Sequence, residues 1–261
     1  MSSNSETLVV ALALFLFGLP LGSFFNVVAY RLPRGQKPWS PSRSHCPSCD
    51  AQISARDNLP VVGWLLLRGK CRNCGATISW RYPAFEFITA ALFAACGVKF
   101  GWHLTLIPAL LLVSTLVIVA NSDLDMRIVP NQVLFISLLA GVVAMALAYP
   151  DDWLTWTLSA VIAFVVMLLV ALAYPRGMGM GDVKLAGVMG LYLGRAIAPS
   201  MLMAFFLGTV VGLGVMALRG VKAGRKTALP FAPFMSLGGV FGIFWGEDVV
   251  QWYLDTFANK G

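Results

Sequence analysis

The sequence predicts an all-α polytopic membrane protein with about eight transmembrane segments and a single polar insertion. Of its 261 residues, 58% are hydrophobic and only 12% are charged. The mean hydropathy of +0.78 lies outside the range of soluble globular proteins. Apolar stretches of about 20 residues, the length that crosses a bilayer as a helix, recur along the chain. The composition therefore excludes a soluble globular protein.

Seven segments are long enough to span a membrane, and one further segment is short and could be re-entrant. The seven are 7–30, 83–100, 104–122, 131–149, 154–174, 196–218 and 229–252, and the short one is 183–194. The first is expected to remain as an anchor, because the N-terminus lacks the positive region of a secretory signal and the apolar run exceeds a signal's core. The predicted organisation is an anchor at 1–30, a cytoplasmic loop at 31–82 and a helical bundle at 83–261.

The distribution of basic residues predicts the orientation. The loop from Arg31 to Arg81 carries nine of the 19 Lys and Arg residues against two acids, Asp50 and Asp57, so it should be cytoplasmic. Both termini are then expected outside, as are the acidic pairs 151–152 and 247–248. The remaining basic residues are expected inside: Arg127, Arg176, Arg219, Lys222, Arg225 and Lys226. The pattern is self-consistent only if the short segment counts as a crossing or another span is miscounted.

The basic loop accounts for the net charge of +7. We interpret this charge as topogenic and lying against anionic lipid headgroups. Binding of nucleic acid is disfavoured, because the loop has neither a basic stripe with interleaved aromatic residues nor an RNA-binding signature.

Two cysteine pairs lie within this loop. Cys46-Pro-Ser-Cys49 and Cys71-Arg-Asn-Cys74 are separated by 21 residues and predict a four-cysteine, zinc-ribbon-like site, in which each tight turn brings two thiolates to one tetrahedral Zn²⁺. Two disulfides are the alternative, which a reducing cytoplasm disfavours. Four thiolates leave no open position on the metal, so the zinc should be structural. Cys96 is expected to be a buried core residue, and His45 to be a neighbour of the site.

Two aspartates lie where a membrane protein should avoid charge. Asp123 follows the apolar run 106–120, and Asp182 lies within Gly-Met-Gly-Met-Gly-Asp between apolar segments. An ionisable group at such a place is a functional candidate. Two carboxylates that share one low-dielectric site cannot both ionise easily, so one holds a proton while the other stays charged. This is the arrangement that an aspartic protease needs.

The first of these sites contains a second acid, Asp125. Carboxylates two residues apart point to different sides of a helix, so only one of Asp123 and Asp125 should face a shared cavity, and the pattern does not choose between them. Asp125 could instead pair with Arg127 or with solvent. Pro130 and Asn131 predict a turn and a helix start, which makes this stretch a cytoplasmic hairpin.

The second site has glycines at 177, 179 and 181. Gly179 and Gly181 would allow tight turns and the close approach of an extended peptide. The alternative is a helix N-terminus capped by Asp182, with Lys184 extending to the headgroups. Glu86 is the remaining acid in an apolar segment; it could neutralise Lys184 or Arg81, or it could line the site.

With these residues the chain resembles the type IV leader peptidases, integral-membrane aspartic proteases with a Gly-x-Gly-Asp motif that process prepilins. The similarity covers nearly the full length. Besides the two cysteine pairs, the matching motifs are Gly22-Ser-Phe-Phe-Asn26, Asn58-Leu-Pro60-Val-Val-Gly-Trp64, Ile78-Ser-Trp-Arg81-Tyr-Pro83 before Glu86, Asp123 seven residues before Pro130, Gly179-Met-Gly181-Asp182-Val-Lys184 and Pro230-Phe-Ala-Pro233-Phe. Ala232 stands where the family pattern has glycine.

The resemblance implies an activity and assigns its residues. It makes Asp123 and Asp182 the catalytic pair, with Asp125 a neighbour of the first. The implied reaction is hydrolysis after the glycine of a short basic leader in type IV prepilins or type II secretion pseudopilins, at the cytoplasmic face of the bacterial inner membrane, without a metal in the chemical step. Many members with the cysteine loop also methylate the new N-terminus with S-adenosylmethionine, which is expected here too.

Two other function classes compete with this one. In an ion-coupled transporter, Asp123 and Asp182 would bind a cation or relay protons. The absence of repeats and of a broken helix pair near the bilayer midplane argues against a transporter. In a catalytically inactive membrane scaffold, the zinc loop would recruit a partner.

Overall fold

The structure is a computed structural model that describes residues 4–40, 44–174, 177–220 and 229–258. The described chain is helical: it contains no β-strand, only two isolated bridges that join His45 to Gln52 and Lys70 to Thr77. Its α-helices are α1 (Asn4–Arg31), α2 (Val62–Leu66), α3 (Arg81–Phe100), α4 (Leu106–Met126), α5 (Asn131–Ala148), α6 (Trp153–Ala173), α7 (Met180–Leu193), α8 (Ile197–Arg219), α9 (Ala232–Phe241) and α10 (Glu247–Tyr253). The predicted fold class is confirmed.

Six helical stretches of the described chain are long and apolar enough to cross a membrane. They are Ser5–Arg34, Arg81–Phe100, Leu106–Met126, Asn131–Ala148, Pro150–Ala173 and Met180–Arg219. The last one joins α7 to α8, and π-helical turns at Gly242–Gly246 and Leu254–Ala258 divide the final segment into shorter pieces. The predicted count of eight is therefore not confirmed. Many of these helices expose large apolar side chains, as expected of surfaces that face lipid. The predicted cytoplasmic residues Arg176, Lys222, Arg225 and Lys226 lie outside the described residues.

The chain forms two compact units, Met1–Leu106 and Ile107–Gly261. In the first unit, α1 and α3 pack antiparallel along a seam of small residues. A Cβ added at Gly18 would lie 2.7 Å from Ala90 Cα, and one at Gly22 would lie 2.8 Å from Glu86 Cα. Gly18 and Gly22 thus form a Gly-x-x-x-Gly seam, which lets membrane helices approach closely. Asn26 Nδ2 donates to the Tyr82 carbonyl at 3.1 Å and fixes the register.

The second unit is built around α4 and α7. Leu112, Val113 and Val119 of α4 are at most 1% exposed, and most of α7 is buried. A hydrogen-bond chain joins three helices: Thr115 donates to Ser137 Oγ at 2.7 Å, and the Tyr192 hydroxyl donates to the Ser137 carbonyl at 2.7 Å. The chain fixes α4, α5 and α7 against one another, as a fully satisfied buried polar network can.

The end of the second unit packs against α8 through glycines. Gly238, Gly242 and Gly246 recur at intervals of four residues and face Ser200 and Ala196 of the preceding segment. A Cβ at Gly246 would lie 2.6 Å from Ala196 Cβ, and one at Gly242 would overlap the Ser200 hydroxyl. We call this contact the glycine seam.

Candidate active site and metal centre

Asp123 lies in the last turn of α4 and is only 6% exposed. Its Oδ2 accepts a hydrogen bond at 3.2 Å from the backbone N–H of Ala232, the first residue of α9. The first N–H groups of a helix have no partner within the helix, and the helix dipole attracts an anion there. The Asp123 carboxylate on α4 thus accepts a hydrogen bond from a free N–H at the N-terminus of α9.

The chain after Asp123 forms a closed turn. Arg127 ends the helix with φ of 56°, and its N–H donates to the Asp123 carbonyl at 2.9 Å. The Ser122 hydroxyl, fully buried, donates to the Ile128 carbonyl at 2.7 Å. The Arg127 cation lies within electrostatic reach of Asp123. Asp125, in contrast, is exposed.

Asp182 is the third residue of α7 and is 8% exposed. Its Oδ2 accepts the Gly179 N–H at 3.3 Å, so the helix-capping role weighed above is present in the structure. The two buried carboxylates are near enough that the charge of Asp123 acts on Asp182. Asp182 can therefore cap its own helix and also share a site with Asp123.

The turn after α4 packs directly on the start of α7. A Cβ at Gly181 would lie 2.7 Å from Val129 Cβ, so the close approach that requires glycine there is to Val129. A Cβ at Gly179 would lie 3.6 Å from the Asp182 carboxylate and 3.9 Å from the Gly181 backbone nitrogen, both at ordinary contact distance. Lys184 Nζ donates to Asn131 Oδ1 at 2.9 Å and ties the two turns together at the surface.

Sequence reasoning missed two of these contacts. The motif Pro-Phe-Ala-Pro-Phe alone gives Ala232 no role, although Pro233 in the first turn of a helix marks a helix start and therefore free N–H groups nearby. Asn131 follows Pro130 at the start of α5, and its pairing with Lys184 over 53 residues left no local signal.

Glu86 belongs to the other compact unit. It is 8% exposed, and its Oε2 accepts the Val61 N–H at 2.7 Å, with a further hydrogen bond from the Ser23 hydroxyl. Its carboxylate is therefore held by two neutral donors, one on α1 and one in the loop.

The four loop cysteines come together as predicted. The Sγ atoms of Cys46, Cys49, Cys71 and Cys74 lie within 4.8 Å of one another and could hold a metal ion such as zinc. Cys46 and Cys74 Sγ are 3.8 Å apart, which matches the separation of about 3.8 Å that a tetrahedral site with 2.3 Å Zn–S bonds requires. All described cysteines are free thiols, and Cys96 is buried as expected.

The two cysteine turns have the same backbone pattern. Cys46 and Cys71 each donate an N–H to the carbonyl five residues later, and each accepts the N–H four residues later, from Asp50 and Gly75, both with positive φ. Hydrogen bonds from the Ser48 and Cys49 backbone lower the pKa of the Cys46 thiol to about 6. The pKa of the neighbouring Cys49 thiol is raised to about 12, as expected where several thiols crowd together and cannot all ionise. A thiolate is the form that binds a metal, so the fit to zinc rests on the set of four thiol donors and on their geometry.

The comparisons with known proteins agree with this arrangement. Residues 16–100 match the bacterial peptidase A24 N-terminal domain, and residues 110–216, which contain Asp123 and Asp182, match the type IV leader peptidase family. The chain is 35% identical over 243 residues to a prepilin leader peptidase/N-methyltransferase of Bacillus subtilis, covering 92% of this chain and 96% of that protein.

Further relatives have the same name. The proteins of Aeromonas hydrophila and Pseudomonas aeruginosa are 32% and 30% identical to this chain over 282 and 284 residues; the alignments cover 93% of both chains for the first, and 98% of this chain and 97% of the relative for the second. No solved structure matches the chain. The resemblance inferred from the motifs is confirmed, and the chain belongs to the type IV leader peptidase family.

Proposed function

We propose that this chain is a multi-pass membrane aspartic endopeptidase of the bacterial inner membrane that removes the short basic leader of type IV prepilins or pseudopilins after its glycine. The observation that carries the proposal is the pair of buried carboxylates, Asp123 and Asp182, at two helix ends within the matched family domain. We infer the prepilin substrates from the names of the relatives.

Charge distribution supports separate roles for the two acids. Asp123 has the Ala232 N–H and the nearby Arg127 cation, which favour its ionised form, whereas Asp182 faces the charge of Asp123. We assign Asp123 as the general base that takes a proton from a water between the two. The oxygen of that water attacks the scissile carbonyl, and Asp182 donates its proton to the developing oxyanion to give a gem-diol. As the C–N bond breaks, Asp123 passes the proton that it took from water to the leaving amine, and Asp182 takes a proton back from the gem-diol, which restores both acids.

The supporting residues hold these acids in place. Gly181 and Lys184 fix the start of α7 against the turn after α4, and Gly179 donates to Asp182. Asp125 is an exposed neighbour. The charge pattern supports a cytoplasmic site, where a basic leader remains, while the apolar helix of the substrate packs between spans.

We further propose that the chain methylates the new N-terminus with S-adenosylmethionine, since the relatives are named for both activities. The zinc loop, within the proposed segment 31–82 between the anchor at 1–30 and the bundle at 83–261, would be a scaffold, because four thiolates leave no position open for water.

Cleavage of a prepilin by the purified enzyme in nanodiscs tests the aspartate assignment. Asp123→Asn and Asp182→Asn should each lower kcat by about 10³-fold or more, since each removes a general acid or base. Asp125→Asn is the matched control and should stay within about threefold, because that side chain is exposed. Cleavage that survives either substitution at 123 or 182 would contradict the peptidase proposal and favour a transporter, which coupled ion flux would reveal.

Metal content tests the zinc assignment. Replacing Cys46, Cys49, Cys71 and Cys74 by serine should abolish bound zinc and expose the loop to proteases. Cys96→Ser, at a buried position outside the cluster, should keep the metal. Zinc retained by the four-serine variant would show that the cluster is not the site.

A further inference from the structure

A strained turn of the cytoplasmic loop is hydrogen-bonded to a side chain of a membrane helix. Val61 has φ of 60° and ψ of −52°, and the Val62 N–H donates to the Pro60 carbonyl at 2.6 Å across it. A β-branched residue rarely adopts this conformation, because a γ-turn with positive φ is strained. The Val61 N–H that the turn presents is the one that Glu86 accepts.

The position of Glu86 sets the depth of that turn. Helix α3 has 20 residues, so at 1.5 Å per residue it is about 30 Å long, no longer than the hydrocarbon core. With the charged Arg81 placed at the bilayer edge, Glu86, five residues further along the helix, lies about 7.5 Å inside it. Gly22 of α1 packs on Glu86 at the same level, so the contact between the two helices lies at the depth of Glu86.

We propose that residues 59–66, here called the interfacial segment, enter the bilayer at the start of α3 and rest on lipid acyl chains. Four of its apolar side chains are exposed: Leu59 by 51%, Val62 by 50%, Leu65 by 60% and Leu66 by 73%. Val62, Leu65 and Leu66 recur at i, i+3 and i+4 on α2 and so form one face. An exposed apolar face at this depth lies against lipid.

Most backbone N–H groups of the interfacial segment have partners, as an apolar environment requires. Pro60 has no N–H, and the N–H of Val61 is bound by Glu86. Gly63 donates to the Leu59 carbonyl at 2.8 Å, and Leu65 to the Val61 carbonyl at 3.1 Å. These hydrogen bonds lower the cost of placing the backbone of the segment in an apolar environment.

The charged residues on either side of the interfacial segment favour a lipid surface as the partner of its apolar face. Arg56 and Arg68 are exposed on either side of the segment, and the sequence has no Asp or Glu from 58 to 85. Basic residues beside an inserted apolar face favour anionic headgroups. Trp80 and Tyr82, exposed by 69% and 43% at the start of α3, are residues typical of the membrane interface.

Photolabelling of the unsubstituted enzyme from the lipid phase tests this. The full chain is placed alone in phosphatidylethanolamine and phosphatidylglycerol nanodiscs that contain a phospholipid with a shallow acyl-chain diazirine, and adducts are mapped by mass spectrometry. Phe87, 53% exposed and next to Glu86, is the positive control at matched depth, and Asn73, exposed between two cysteines, is the negative control. Adducts on residues 59–66 should be within about threefold of Phe87 and about tenfold above Asn73.

Labelling of Phe87 without labelling of the interfacial segment above Asn73 would overturn the proposal. A second arm places a benzophenone amino acid at position 66 in cells, where lipid adducts are expected. A predominant protein adduct would also overturn it and would assign the face to a protein partner.

Discussion

At the scale of single residues, two glycines of one motif have different surroundings. Gly181→Ala should push the Val129 side chain away from α7 and displace Asp182, because the added Cβ would lie 2.7 Å from Val129 Cβ. Overpacking of this kind costs about 1–3 kcal/mol, so we expect peptidase kcat to fall by about 10- to 100-fold. Gly179→Ala, with its Cβ 3.6 Å from the Asp182 carboxylate, should keep kcat within about threefold of the parent.

The double variant Gly181→Ala with Val129→Ala provides the control for this interpretation. It should recover activity, because the smaller side chain at 129 vacates the space that the new Cβ needs. Equal losses at 179 and 181 would show instead that both glycines act through backbone freedom.

Asp57 and Arg72 form a two-point ion pair in the zinc loop, with Nε to Oδ2 at 2.9 Å and Nη2 to Oδ1 at 2.6 Å. Hydrogen bonds from Arg72 hold the pKa of Asp57 below its usual range. The pair should therefore stabilise the loop above the unfolded pKa of about 3.9, and this contribution should vanish as pH falls through the lower folded value. Limited proteolysis should find Arg72→Met more susceptible than the parent at pH 7.

The pH dependence separates this ion pair from a packing effect. The difference between Arg72→Met and the parent should shrink on acidification, while Lys70→Met, which alters an exposed cation nearby, should behave as the parent does at every pH. At pH 7, where the zinc site is intact, Arg72→Met should add no further susceptibility on an Asp57→Asn background. If it has its full effect on that background, Arg72 acts through its packed stem and not through its charge.

The periodicity of the sequence alone could not identify which aspartate of α4 is buried. Helix α4 continues to Met126, four residues past the predicted span end, so Asp123 and Asp125 are both helical and lie on different sides, as their spacing predicts. Which side is buried depends on what α4 packs against, and no local signal carries that information. The family spacing chose Asp123, and the buried carboxylate of Asp123 and exposed one of Asp125 are consistent with that choice.

At the scale of elements, the glycine seam is the most demanding helix contact. Gly242→Val should destabilise the second unit, because even a Cβ there would overlap the Ser200 hydroxyl. Close-packed positions lose about 1–3 kcal/mol on such overpacking. Thermal unfolding in detergent should therefore begin at a lower temperature than in the parent.

Gly214→Val is a matched control, since nothing lies within 4 Å of a Cβ at that position of α8. It should unfold as the parent does, apart from the small helix propensity difference between glycine and valine. If both variants unfold alike, the seam contributes no packing constraint.

The ends of a helix could be predicted where an apolar stretch begins or ends next to a helix-breaking residue such as proline. Pro130 precedes the observed start of α5 at Asn131, and the predicted end at 149 is one residue past Ala148. The crossing count was not predictable, because α7 is shorter than a bilayer is thick and the last segment changes to π-helical turns at Gly242 and Leu254. The first of these turns lies where Gly242 and Gly246 pack closely on Ser200 and Ala196, and average hydropathy does not report packing.

At the scale of the whole molecule, the charge pattern predicts an orientation that reporter fusions can test. A fusion after Trp102, between α3 and α4, should be active as an extracytoplasmic reporter, and one after Ile128, between α4 and α5, as a cytoplasmic reporter. A cytoplasmic signal at Trp102 would reverse the orientation of these helices and place Asp123 on the face where prepilin leaders do not remain.

The hydrogen bond from Ala232 to Asp123 joins residues 109 positions apart and has a consequence for biosynthesis. Both acids leave the ribosome and enter the membrane before α9 is made. A nascent chain that has not yet reached residue 232 carries both proposed catalytic aspartates, Asp123 and Asp182, without the N–H that binds the first of them. We expect such a chain to be inert, so that the newly made enzyme cannot cut neighbouring polypeptides at the insertion machinery until its last helix has arrived.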